Sequence, residues 1–158
     1  MAQIEIGQIA PAFSLFDSDK KIVTLSEQKD NNVLLLFFPF AFSSVCTAEL
    51  CSVRDNLKAY EELDTKTFGI SVDSLYSLKK FKETEHINFS LLSDFNKEVS
   101  ILYGCLYDSF SYGMKGVSKR SAFLINREGI VQYAEVLENA GSQPNFEAIQ
   151  VKLRGLSK

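Results

Sequence analysis

A single histidine, His86, stands among 158 residues, and that scarcity narrows the chemistry at the outset. A cysteine–histidine hydrolase needs an imidazole as its base. The one imidazole here lies in a polar stretch, Lys82-Glu83-Thr84-Glu85-His86, which disfavours that reading. No Cys-x-x-Cys or His-x-x-x-His spacing occurs, which disfavours a zinc site and leaves no metal expected. Cysteines number three, at 46, 51 and 105. An odd, low count beside an N-terminus without a secretory pattern argues against a structural disulfide framework and for a reducing, cytoplasmic setting. The longest apolar stretch, near residues 33–42, is too short to cross a bilayer. The formal net charge is −3, with no block of like charge, so neither nucleic acid nor membrane is expected as a partner.

What is present fits one domain over residues 1–158. The apolar content of 46% and charged content of 23% are ordinary for a soluble globular chain able to bury a sizeable core. There is no repeat, low-complexity tract or Pro/Ser-rich linker. Short strands are expected at 12–16 and 21–25, around the turn Asp17-Ser18-Asp19-Lys20. The run Val33-Leu34-Leu35-Leu36-Phe37-Phe38 reads as a strand buried on both faces. A helix follows over 44–63, a strand over 67–72, a helix over 75–85 and a short strand over 89–92. A further helix over 96–103 stops at Gly104, a C-terminal cap. Strands at 121–125 and 130–136 flank the hairpin turn Asn126-Arg127-Glu128-Gly129. A last helix spans 145–153 behind Pro144. The fold class is α/β, a mixed central sheet flanked by helices. The order matches a thioredoxin-like fold with an N-terminal hairpin extension.

The segment Pro39-Phe40-Ala41-Phe42-Ser43-Ser44-Val45-Cys46 carries the chemistry. A buried strand delivers Cys46 to the start of a helix, where partial positive charge and unpaired N–H groups stabilise a thiolate. At about 100° per residue, Cys46, Leu50, Val53, Leu57 and Tyr60 form one core-facing stripe. A buried packing cysteine is the plain alternative. The position at the carboxyl end of a central strand, where open α/β sheets bind ligands, favours a nucleophile. Ser43 is placed either to cap the helix or to bond a thiolate. Glu49 either offsets the helix dipole or buttresses an arginine. Arg120, just before a strand, is either a surface residue or the guanidinium that a thiolate wants.

Together these residues resemble the peroxiredoxins. The family's motif is Pro-x-x-x-Thr/Ser-x-x-Cys, with an arginine much later before a strand. Pro39, Ser43 and Cys46 stand at that spacing, and Arg120 opens Arg120-Ser121-Ala122-Phe123-Leu124-Ile125. Similar features include Gly7-Gln8-Ile9-Ala10-Pro11, Gly69-Ile70-Ser71-Val72-Asp73, Leu91-Leu92-Ser93-Asp94 and Tyr103-Gly104. Two branches share features with the chain. Phe38-Pro39-Phe40-Ala41-Phe42 resembles the AhpE-like group, and the Cys46-x-x-x-x-Cys51 spacing resembles the bacterioferritin-comigratory/peroxiredoxin-Q group. Serine replaces the usual threonine at 43 and keeps the hydroxyl.

The resemblance implies a thiol peroxidase acting on hydrogen peroxide or alkyl hydroperoxides without a cofactor. Cys46 would become a sulfenic acid. Ser43, Arg120 and helix N–H groups would hold the peroxide, and Pro39 would shield the sulfenate. A thioredoxin- or glutaredoxin-like protein, or a small thiol, would close the cycle, and the chain would act as a monomer or homodimer. Phe37, Phe38, Phe40 and Phe42 would divide between core and an exposed rim.

Cys51 is expected as the resolving thiol, on the family spacing and on its polar helix face with Thr47, Arg54, Asp55 and Lys58. Five residues apart on an ideal helix, two Cα atoms are about 8–9 Å apart, while a disulfide needs less than roughly 7 Å. A Cys46–Cys51 bond therefore demands that the helix unwind locally. Cys105 reads as a packing cysteine, with an alternative role as resolver. A one-cysteine peroxidase and a non-enzymatic peroxide sensor remain as alternatives. A disulfide oxidoreductase is disfavoured, because it needs Cys-x-x-Cys and a proline before the later strand, and the three prolines are at 11, 39 and 144.

Overall fold

Two short strands open the described part of the chain. These are β1 (Ser14–Phe16) and β2 (Ile22–Thr24), paired antiparallel with Leu15 opposite Val23. The Asp17 carboxylate closes their turn by accepting from the backbone N–H groups of Asp19 and Lys21. The structure is a computed structural model and describes residues 3–156. A 3₁₀ turn, Leu25–Gln28, leads into β3 (Asn32–Phe37), which is buried along its whole length.

The expected helix over 44–63 is two helices, α1 (Ser44–Asp55) and α2 (Leu57–Glu62). The break is at Asn56, whose side-chain amide donates to the Ser52 carbonyl at 2.8 Å. Asparagine competes for helix carbonyls in this way, and a hydrophobic stripe does not register it. The stripe crosses the break largely intact: Cys46, Leu50, Val53 and Tyr60 are buried, and Leu57 packs at the edge.

The chain continues through β4 (Thr65–Ser71), α3 (Leu75–Thr84), β5 (Ser90–Ser93) and α4 (Glu98–Leu102). Helix α4 is shorter than expected, because Lys97 sits in the left-handed region (φ 66°). The buried Asp94 carboxylate caps it, accepting from the N–H groups of Val99 and Ser100. Gly104 ends it at φ 64°, the left-handed cap that glycine permits. After a 3₁₀ turn at Ser111–Gly113 come β6 (Ser121–Ile125), β7 (Val131–Val136) and α5 (Phe146–Leu156).

The main sheet runs β5-β4-β3-β6-β7. Strands β3, β4 and β5 are parallel, while β6 and β7 run antiparallel to their neighbours. Alternation along β3 serves two cores. Leu34 and Leu36 join Cys46, Leu50, Leu78, Phe81 and Ile149 on the face that α1, α3 and α5 cover. Val33, Leu35 and Phe37 join Phe13, Tyr103, Cys105 and Phe123 on the other. A strand needed on both faces must read as an unbroken apolar run. In the antiparallel register, Phe37 at the end of β3 faces Ser121 at the start of β6. The residues after Phe37 and before Ser121 therefore meet at one edge of the sheet.

Candidate active site

That edge carries the loop from β3 to α1. Pro39 is buried, Phe40 half-buried and Phe42 exposed, whereas Phe37 and Phe38 are core. The Asp73 carboxylate fixes the loop. Its Oδ2 accepts the Ala41 N–H at 2.8 Å and the Ser71 hydroxyl at 2.6 Å. Phe42 adopts a left-handed conformation (φ 69°), and its ring lies edge-on to Phe81 at 5.1 Å. This turns the chain into Ser43, the N-cap residue of α1. The cap is made by backbone alone: the Ser43 carbonyl accepts from Thr47, while its hydroxyl donates to the Phe40 carbonyl at 2.9 Å. Ser43 itself is exposed.

Cys46 is the third residue of α1 and is 0% exposed. Arg120 reaches it from the start of β6, with Nη2 at 3.2 Å from Sγ. The Nη1 atom of the same guanidinium donates to Glu49 Oε1 at 2.6 Å. Its Nε and Nη2 both donate to the Ala140 carbonyl, at 3.1 and 2.9 Å. Arg120 is 1% exposed and Glu49 0%. This planar, three-sided binding needs an arginine, because one lysine ammonium cannot reach all three acceptors in fixed directions.

The cluster has unusual electrostatics. Burial pushes Glu49 up to about 7 against the pull of Arg120. Its second oxygen, Oε2, is buried without a partner. Burial opposes the charge of Arg120, but Glu49 and Cys46 outweigh it and hold the guanidinium above its ordinary value. The arginine is thus a permanent cation beside the sulfur, where a thiolate gains most from it.

A cleft of about 410 Å³ opens beside this cluster, lined by Pro39, Ser43, Tyr107, Phe110, Arg120 and Ala140, among others. Cys46 lies behind that lining, next to Arg120. Phe110 and Tyr107 form an aromatic side to the cleft, with ring centroids 5.3 Å apart, and Phe40 packs edge-on against Phe110 at 6.0 Å. The Tyr107 hydroxyl donates to the carbonyls of Leu137 and Glu138, and so holds the strand end that presents Ala140.

Cys51 lies on the half-buried side of α1, and its thiol donates to Glu85 Oε2 at 3.6 Å. Both cysteines belong to the unbroken helix α1, and all three thiols are free. Cys105 is buried in the opposite core, where burial raises its thiol far above the ordinary value. His86 is exposed in the corner after α3. Among the described residues, no group of three or more His, Cys, Asp or Glu side chains could hold a metal ion, and no helix is long and apolar enough to cross a membrane.

The structure thus brings Cys46, Glu49 and Arg120 into direct contact and sets Pro39 and Ser43 on the adjoining cleft. Cys51 stands apart with Glu85. Sequence reasoning did not single out Asp73, Tyr107 or Ala140. Asp73 at least lies in a stretch noted for its family-like character; Ala140 contributes only a backbone oxygen, which no residue type announces.

The sequence profile of the AhpC/TSA family matches residues 6–134. Alkyl hydroperoxide reductase E of Mycobacterium tuberculosis is 35% identical over 136 residues, covering 84% of this chain and 86% of the relative. Peroxiredoxin Bcp of Escherichia coli is 34% identical over 135 residues, covering 84% and 86%. Among solved structures, the peroxidoxin BcpB of Mycobacterium tuberculosis superposes with a TM-score of 0.86 at 26% identity, covering 98% of this chain and 99% of that one.

Proposed function

From the premise that the chain belongs to the AhpC/TSA family and is a thiol-dependent peroxidase, we propose that Cys46 is the thiol that meets the peroxide. The observation that carries this is the 3.2 Å contact from Arg120 Nη2 to Cys46 Sγ at the first turn of α1. The thiolate gives an electron pair to one peroxide oxygen. The O–O bond breaks, and the other oxygen takes a proton and leaves as water or alcohol. Cys46 remains as a sulfenic acid. Arg120 and the Ser43 hydroxyl hold the peroxide oxygens as charge moves between them. Glu49 fixes the guanidinium plane, and Pro39 keeps bulk water from the sulfur.

Resolution falls to Cys51. Its thiol attacks the Cys46 sulfur, an S–S bond forms, and the S–O bond breaks. The departing oxygen takes the thiol proton and leaves as water. The helix between the two residues must open for this, because its span exceeds what a disulfide allows. A thiol reductant then supplies two electrons and two protons; a thioredoxin- or glutaredoxin-like protein fits that role. We read residues 1–158 as one domain working in the cytoplasm, as monomer or homodimer. A five-stranded main sheet with a core on each face supports one domain, and three free thiols suit a reducing compartment.

The test is peroxide consumption with dithiothreitol as reductant, for wild type and Cys46→Ser. Many turnovers in the first and none in the second support the reading. A single stoichiometric oxidation in the wild type would favour a sensor instead.

A further inference from the structure

The half of α1 that carries Cys51 is tied to the corner that follows α3. Three bonds cross between them. The Cys51 thiol donates to Glu85 Oε2 at 3.6 Å. The Arg54 guanidinium donates to the Glu85 carbonyl. The Asn88 amide donates back to the Arg54 carbonyl at 3.2 Å. In the corner itself, His86 lies in the left-handed region (φ 53°) and the Ile87 N–H bonds to the Lys82 carbonyl. The first turn is held differently: the Ser43–Thr47 bonds stay within the turn, and Arg120 reaches Cys46 from β6.

We propose that Glu85 and Asn88 form a latch that holds the resolving thiol on folded α1, so that release of this corner sets the rate of the Cys46–Cys51 disulfide step. The proposal rests on Cys51 being the resolving residue. The latch acts in two ways. Asn88 and Arg54 restrain the backbone that must unwind. Glu85 holds the thiol as S–H, an acceptor bond the sulfur must give up before it attacks. Burial is the main influence raising the Cys51 thiol; Arg54 opposes it, while Glu85 and Asp55 add to it. These are the charged groups facing Cys51. While the latch is shut, the Cys46 sulfenate waits and remains open to a second peroxide, which would carry it to the sulfinic acid. The latch therefore also sets the balance between turnover and over-oxidation.

The experiment follows the full reduced chain after one equivalent of hydrogen peroxide, by rapid quenching with an alkylating agent and mass spectrometry. The variants are Asn88→Ala and Glu85→Gln, neither of which touches Cys46 or Arg120. The disulfide step is expected to run about fivefold faster in Asn88→Ala, the effect of losing one ordinary hydrogen bond. In Glu85→Gln the pH midpoint of that step should move down, because a negative neighbour of the thiol is gone. Formation of the sulfenate should keep its wild-type rate in both, and excess peroxide should leave less sulfinate. A disulfide step unchanged or slowed in both variants, with melting temperatures intact, overturns the latch alone. Absence of any Cys46–Cys51 disulfide in the wild type overturns Cys51 as resolver, and the latch with it.

Discussion

Arg120 Nη2 lies 3.2 Å from Cys46 Sγ, although 74 residues separate the two in the chain. Sheet topology makes the contact. Cys46 follows the carboxyl end of β3, Arg120 precedes the amino end of β6, and the antiparallel register of these strands puts both ends at one edge. The same guanidinium closes on Glu49, which comes three residues after Cys46 on α1. One helix turn thus presents the nucleophile and the carboxylate that orients its cation.

Arg120→Lys is expected to lower the second-order rate of Cys46 oxidation by about 10²–10³, the scale for losing a preorganised donor to developing charge. The charge survives in this variant but the fork does not. Arg120→Met should in addition destabilise the fold by about 3–5 kcal/mol, because it leaves Glu49 buried without a partner. Rapid-quench oxidation rates and urea unfolding measure the two effects separately.

Glu49 should imprint a pH dependence on stability. Its folded-state pKa, about 7, exceeds the ordinary 4.5. The folded chain therefore binds the extra proton. That contribution is fully present below about pH 4.5 and is lost as pH rises through about 7. Its size is on the order of 3 kcal/mol. Glu49→Gln removes the titration, so the stability difference between variant and wild type should grow in the variant's favour across that window. Urea midpoints at about pH 5 and about pH 8 check the sign.

Asp73 holds the loop of Pro39 and Ser43 through the Ala41 N–H, yet touches no reacting atom. Asp73→Ala leaves that N–H and the Ser71 hydroxyl without their acceptor and should cost about 1–3 kcal/mol. The oxidation rate of Cys46 should fall by on the order of ten- to a hundredfold as the loop loses its position. Asp73→Asn, which keeps an acceptor oxygen, should recover most of both. Thermal melts and rapid-quench rates on the pair of variants check this.

Local pattern made much of this molecule legible. The unbroken apolar run gave β3, Gly104 marked the end of α4, and Asn126-Arg127-Glu128-Gly129 marked the β6–β7 turn. The motif spacing marks Pro39, Ser43 and Cys46, and the position just before a later strand marks Arg120. What escaped depends on backbone atoms or distant partners. Asn56 splits a helix through one side-chain bond to a carbonyl. Ala140 binds Arg120 with a carbonyl that every residue type carries. Glu85 meets Cys51 across 34 positions, and the polar helix face that marked Cys51 as non-core could not name that partner.

The central claim is that Cys46, and not another thiol, takes the peroxide oxygen. Reduced protein given one equivalent of hydrogen peroxide, quenched within the first turnover with an alkylating agent and mapped by mass spectrometry, tests it directly. In Cys51→Ser, where no Cys46–Cys51 disulfide can hide the product, the added oxygen should appear on Cys46, with Cys105 left as the buried thiol it is. Oxygen on Cys105, or a Cys46 that stays reduced while peroxide disappears, would contradict the account.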